Sequence, residues 1–178
     1  MSEKDFFKGQ ITAYAECIAT GCKRIADSNL LEAFVQVKGE PKGVIRTSAG
    51  DLPVKAVSIP DDVKKVAGEF FKIARDIARE YRVKVQCKKI AQDYVFVLYK
   101  DHNALREYWE LRKGERRISA SEYHRRIGKL YGYSEKEIGQ FVAKVLRFVK
   151  EGKMSKDGCI LSEDGSILKT DEGPLGSI

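Results

Sequence analysis

Apolar residues recur along this chain with two periods, and the elements change where the period changes. Phe6, Phe7, Ile11, Tyr14, Ile18, Cys22 and Ile25 fall on or near one face at helical spacing, which predicts a long helix from Ser2 to about Ala26. Ser2 can cap it, and Glu3 and Asp5 complement the positive end of its dipole. Asp27-Ser-Asn29 should break it, because these side chains prefer local hydrogen bonds to helix continuation. From Leu31 to Lys38 the period falls to two. Ala33, Val35 and Val37 alternate with Glu32, Gln36 and Lys38, which predicts a strand, with Phe34 out of pattern. Val44–Thr47 and Val54–Ile59 read as two more strands, separated by glycine-containing turns, so the three together predict an antiparallel meander.

Pro60-Asp61-Asp62 opens a second long helix that runs to about Tyr81, with Val63, Val66, Ala67, Phe70, Ala74, Ile77 and Tyr81 as its apolar stripe. Lys64, Lys65, Lys72, Arg75 and Arg79 lie off that stripe and read as a solvated face. Val83–Lys88 alternates again. Tyr94–Tyr99 is the most apolar run of the chain and predicts a central strand buried on both faces. Asp101 caps a helix from His102 to about Leu111, which carries the lone tryptophan, Trp109.

The stretch from Ile118 to Glu151 holds two helix-start signatures in quick succession. Ser119-Ala-Ser-Glu122 and Ser134-Glu-Lys-Glu137 both have the form of a capping box, flanked by the apolar pairs Ile118/Tyr123 and Tyr133/Ile138. Gly132 stands between them, where a left-handed residue can end the first helix. The first helix is expected over about Ala120–Tyr131. The second is expected over about Glu135–Lys150, with Ile138, Phe141, Val142, Val145, Leu146 and Val149 as its stripe. The segment Ile127-Gly-Lys-Leu-Tyr-Gly132-Tyr-Ser-Glu-Lys-Glu-Ile138-Gly-Gln-Phe141 resembles a DNA-binding helix-turn-helix. That resemblance implies a second helix presenting Ser134, Glu135, Lys136 and Gln140 to the major groove, where Gln reads adenine and Lys reads guanine or phosphate. Glu135 and Glu137 argue against this, because carboxylates near phosphates are repelled; Glu137 is excused if it is tied up in the cap, but Glu135 is not. A plain αα-hairpin packed on a core has the same pattern.

From Gly152 onward the chain is glycine-rich and net acidic, and it repeats itself: Asp157-Gly-Cys-Ile-Leu161 and Asp164-Gly-Ser-Ile-Leu168. A two-stranded flap and a segment that orders only on binding both fit this composition.

The net charge of +7 and pI near 9.2 favour an anionic partner. Between Arg112 and Lys129 stand Arg112, Lys113, Arg116, Arg117, Arg125, Arg126 and Lys129, against only Glu115 and Glu122. Tyr108, Trp109, Tyr123, Tyr131 and Tyr133 interleave or flank them. Guanidinium groups bind phosphate bidentately and aromatic faces stack bases, although the same aromatics would serve equally as core anchors. Cys17, Cys22, Cys87 and Cys159 form no C-x-x-C pair, and His102 and His124 stand at no ligand spacing from them, so no metal site is expected. Cys17, Cys22 and Cys87 fall on apolar faces and read as buried thiols. No phosphate-binding glycine loop, nucleophile elbow or zinc-protease helix is present, and no cofactor is expected. His124 has cationic neighbours and no orienting carboxylate. It reads as a surface or packing residue. No segment approaches a membrane span, so a cytoplasmic address and no membrane partner are expected.

The order of helix, strands, helix, two strands and helix, over about Ile11 to Leu111, resembles the αββαββα core of LAGLIDADG homing endonucleases. The resemblance implies a metal-binding carboxylate at the end of the first helix. Asp27 is the residue so placed, in Arg24-Ile-Ala-Asp27-Ser-Asn29, but the family's motif with its helix-packing glycines is absent.

The expected fold class is α+β. An antiparallel sheet of about five strands (1–100) packs on two long helices, followed by a three-helix section with a helix-turn-helix-like hairpin (101–151) and a glycine-rich tail (152–178). The expected function is non-catalytic nucleic-acid binding, to DNA or RNA. Arg112, Lys113, Arg116, Arg117, Arg125, Arg126 and Lys129 would hold phosphates, and Lys136 and Gln140 would touch bases. The alternatives are a protein-interaction module that docks on an acidic protein surface, such as an inhibitor or adaptor of a nucleic-acid-processing complex, and a metal-dependent nuclease or other small enzyme.

Overall fold

In the computed structural model, residues 1–47, 50–56, 58, 60–113 and 118–150 are described. The fold is α+β, with the described elements in the order α1 (Glu3–Ala19), β1 (Ile25–Asn29), α2 (Leu30–Lys38), β2 (Glu40–Thr47), β3 (Gly50–Ala56), α3 (Val63–Glu80), β4 (Lys84–Ile90), β5 (Asp93–Tyr99), α4 (His102–Lys113), α5 (Ala120–Leu130) and α6 (Glu135–Lys150). It divides into two compact units, Met1–Leu105 and Arg106–Ile178.

The single five-stranded sheet on two long helices is not what forms. Three strands make an antiparallel sheet in the order β1-β5-β4, while β2 and β3 form a separate two-stranded antiparallel sheet. The helices number six among the described residues. Two elements near the N-terminus also differ from the expectation. The first helix stops at Ala19, where Gly21 takes φ +84°, and Ile25 belongs to a strand. Leu30–Lys38, expected as a strand, is α2: Leu30, Ala33 and Phe34 are buried at positions i, i+3 and i+4 of a helix. The N-cap residue of α2, Asn29, makes no side-chain cap bond. The N–H of Leu31 instead donates to Asp93 Oδ1 at 3.1 Å, from β5.

The core of the first unit gathers Phe7, Ile11 and Ile18 of α1, Leu30 and Phe34 of α2, Phe70, Ala74 and Ile77 of α3, and Ala26, Phe96 and Leu98 of the sheet. Phe7 is its centre, with its ring 4.7 Å from that of Phe70 and 5.0 Å from that of Phe96. Edge and tilted contacts of this kind suit the aromatic quadrupole. The central strand β5 buries Val95 to Tyr99 without a break, as its continuous apolar run predicts. The buried Ser28 hydroxyl donates to Gln10 Oε1 at 2.6 Å, so its desolvation is offset. Ser2 and Asp5 form a reciprocal capping box at the start of α1, and Asp62 caps α3. Cys22 lies beyond the end of α1 and is exposed, not buried.

Asp27 does not end a helix. It lies within β1, opposite Val97, so the carboxylate implied by the endonuclease likeness is not where that fold needs it. The interposed α2 also departs from the αββαββα order. Among the described residues no group of three or more His, Cys, Asp or Glu could hold a metal ion, and no helix is long and apolar enough to cross a membrane.

Candidate nucleic-acid interface

The hairpin of α5 and α6 follows from its end signals. Ser119 Oγ accepts from the Glu122 N–H at 3.2 Å and starts α5. The helix closes on Gly132, whose φ of +80° only glycine adopts without cost. The Tyr133 N–H donates to the Gly128 carbonyl at 3.0 Å and the Gly132 N–H to the Lys129 carbonyl at 3.2 Å, which satisfies carbonyls the helix would otherwise leave open. Two residues later α6 begins with a complete capping box. Ser134 N–H and Oγ both donate to Glu137 Oε2, at 2.8 and 2.6 Å, and the Glu137 N–H returns to Ser134 Oγ at 3.3 Å. These bonds hold the Glu137 carboxyl below its usual pKa.

Ile127, Leu130, Ile138 and Val142 are buried in this hairpin. Gly128 sets the closeness of the two helices. A Cβ there would lie 2.9 Å from Ile138 Cγ1. Phe141 and Leu146, expected within the apolar stripe of α6, are 51% and 45% exposed. His124 packs edge-on against Phe141, with centroids 4.9 Å apart, and burial lowers its pKa.

The candidate phosphate ligands separate into groups. Arg126 is held by Glu107 of α4 through Nε and Nη2, at 3.1 and 3.0 Å, with both side chains largely covered. Lys129 pairs with Glu135 at 3.0 Å on the surface. Arg112 lies over the Tyr108 ring, 5.9 Å from its centroid, and Lys113 ends α4 in solvent. Arg125, Lys136 and Gln140 are exposed. Arg116 and Arg117 lie outside the described residues. Of the aromatics proposed to stack bases, Tyr108 and Trp109 are buried and pack on each other at 4.9 Å, so they act as core anchors. Tyr133 is 53% exposed.

Sequence reasoning passed over two basic residues of α6. Lys144 and Arg147 are exposed, and with Lys136 and Gln140 they fall within about 80° of the helix circumference at 3.6 residues per turn. The spacing 136-140-144 was the available signal. The nearby carboxylates are engaged: Glu137 closes the cap and Glu135 meets Lys129.

No known family model, curated protein or solved structure matches this chain.

Proposed function

We propose that the second unit binds nucleic acid without catalysis, with α6 as the contacting helix. The observation that carries this reading is the sector of Lys136, Gln140, Lys144 and Arg147, exposed on one side of a helix whose two N-terminal carboxylates are already partnered. Arg125 on α5 adds a phosphate contact, and Lys113, Arg116 and Arg117 extend the basic run. Arg126 and Lys129 contribute less, because each already serves a carboxylate. Lysine and arginine at the surface favour phosphate by releasing condensed counterions, so the affinity should fall steeply with salt.

The test is a fluorescence anisotropy titration against labelled duplex DNA, single-stranded DNA and RNA at several salt concentrations. About four phosphate contacts on a duplex would give a log–log salt slope of roughly −3.5. Lys136→Glu with Arg147→Glu is expected to abolish binding without unfolding the chain, since both residues are exposed. No binding at low salt overturns the reading and leaves the protein-interaction module as the function to pursue.

A further inference from the structure

The outer face of α3 sorts its charges by sign. Lys64, Lys65, Lys72, Arg75 and Arg79 fall within about 100° of the helix circumference at 3.6 residues per turn, and all of them are exposed. Asp76, Glu69 and Glu80 stand together in the sector next to Lys65. Ala67, Phe70, Ala74, Ile77 and Ala78 are buried on the other side, so the core fixes which way the cations face. The acidic flank is engaged. Glu69 pairs with Lys4 of α1 at 2.8 Å, and Asp76 meets Arg79 at 3.6 Å.

Helix stability does not account for this arrangement. Lys64 and Lys65 occupy the first turn, beside the positive end of the dipole, and that turn holds no acidic residue. Lys72 and Arg75 stand at i, i+3 and Arg75 and Arg79 at i, i+4, spacings at which like charges weaken a helix. A face that served solubility alone would mix the signs. Gly68, a poor helix former, lies in the middle of the cationic sector, and a Cβ there would meet nothing within 4 Å. The backbone is therefore bare between Lys64 and Lys72, where a ligand can come close. The cations run about 22 Å along the axis, over which one strand of a duplex presents about six phosphates. Phe70 and Phe71, the aromatics of α3, pack in or against the core, so the face offers cations and no ring on which an unpaired base would stack. It also offers no exposed large apolar side chain, which a helix lying in a membrane surface needs.

We infer that the outer face of α3 is a contact surface for the phosphate backbone of duplex nucleic acid. Lys72, Arg75 and Arg79 form its centre, and Lys64 and Lys65 extend it toward the start of the helix. Contacts to phosphate position a duplex and carry no sequence information, so this surface is indifferent to base sequence. Its affinity belongs to the weak, salt-sensitive class, with a Kd of about 10⁻⁴–10⁻⁶ M. The inference does not rest on α6 as the contacting helix, because α3 lies in the other unit.

The experiment records amide proton–nitrogen correlation spectra of the full 178-residue chain during titration with a short mixed-sequence DNA duplex, at low and high salt. The duplex is expected to move the amides of Val63–Glu80 at low salt, and high salt should return them. Lys72→Gln/Arg75→Gln/Arg79→Gln alters exposed side chains only, so it should lose these shifts while the rest of its spectrum stays in place. The Lys136→Glu/Arg147→Glu chain leaves α3 untouched, and its α3 amides should still move. That arm separates a failure at α6 from a failure at α3. Duplex-induced shifts that spare Val63–Glu80, or that persist unchanged in the triple variant, overturn the inference. Equal α3 shifts with a single strand of the same length overturn the choice of a duplex. Loss of the α3 peaks on adding phosphatidylserine vesicles, with none moved by the duplex, overturns it by assigning the face to a membrane surface. No shift anywhere in the chain overturns this inference and the α6 reading together.

Discussion

Arg126 donates to a single carboxylate oxygen of Glu107 through both Nε and Nη2, at 3.1 and 3.0 Å, and so ties α5 to α4. The two side chains are 24% and 30% exposed. A pair this covered acts as a structural tie. Removing one partner leaves the other poorly solvated, at a cost of about 1–2 kcal/mol, between that of a surface pair and that of a buried pair. Arg126→Met should therefore lower the urea midpoint and leave the salt slope of nucleic-acid binding unchanged. Its neighbour Arg125 is exposed, so Arg125→Ala should do the reverse. A double-mutant cycle with Glu107→Gln checks the assignment, and additive losses would show that the pair does not couple.

Gly128 permits the approach of α5 and α6. An alanine methyl there would stand 2.9 Å from Ile138 Cγ1 and 3.3 Å from its Cδ1. Cγ1 is attached directly to the branched Cβ, whose torsion is stiff, so it has little freedom to withdraw. Alanine gains about 1 kcal/mol of helix propensity over glycine, but overpacking costs about 1–3 kcal/mol. We expect Gly128→Ala to destabilise the chain. Ile138→Ala removes the clashing atoms, so the double variant should lose clearly less than the sum of the singles in denaturant unfolding. A Gly128→Ala chain as stable as the native one would show that the helices separate freely.

What could be read from the sequence follows from how local each signal is. The Ser134/Glu137 box, the left-handed Gly132 and the doubly buried run of β5 are fixed within a few residues, and they form as expected. The helix Leu30–Lys38 was misread because Ala33, Val35 and Val37 satisfy a two-residue period by chance. Phe34, which breaks that alternation, is the residue that fits the helical one. Its N-terminal bond comes from Asp93, about sixty residues away, where no local pattern reaches. The same limit applies to the basic run. Seven cations in sequence look equivalent until Glu107 and Glu135 are placed in space, and then Arg126 and Lys129 separate from the rest. Gly128 gave no signal of its own, since a glycine inside a helix shows its packing role only once the partner helix is present.

His124 should make stability depend on pH near neutrality. Burial between Tyr123 and Phe141 lowers its pKa, so the folded chain binds this proton less readily than the unfolded one. Above the usual histidine value of about 6.5 both states are neutral and nothing is lost. As the pH falls through that value the unfolded chain gains the proton first, and stability declines until the lowered folded value is passed. His124→Phe should flatten the fall in the urea midpoint between about pH 7 and 5. Glu137→Gln should act in a separate, lower window. Its carboxyl is held below the ordinary range, so its stabilisation is present above that range and is lost on acidification through it. An unchanged slope in His124→Phe would place the neutral-range loss elsewhere.

Cys87 should resist thiol reagents while the chain is folded. It packs against the core from β4, opposite Phe96, and burial, helped by the charge of Asp93, raises its pKa to about 11. At pH 8 such a thiol is about one part in a thousand thiolate, against roughly a quarter for an ordinary cysteine, and the thiolate is the reactive form. Cys22 is exposed and should be alkylated first. Peptide mass spectrometry after brief iodoacetamide treatment should find Cys22 modified and Cys87 intact, with urea removing the difference. Asp93→Asn should speed labelling of Cys87 only modestly, because burial is the larger cause. Labelling of Cys87 in the folded chain as fast as Cys22 would mean that β4 opens readily, since the thiol would have to reach solvent before it could ionise.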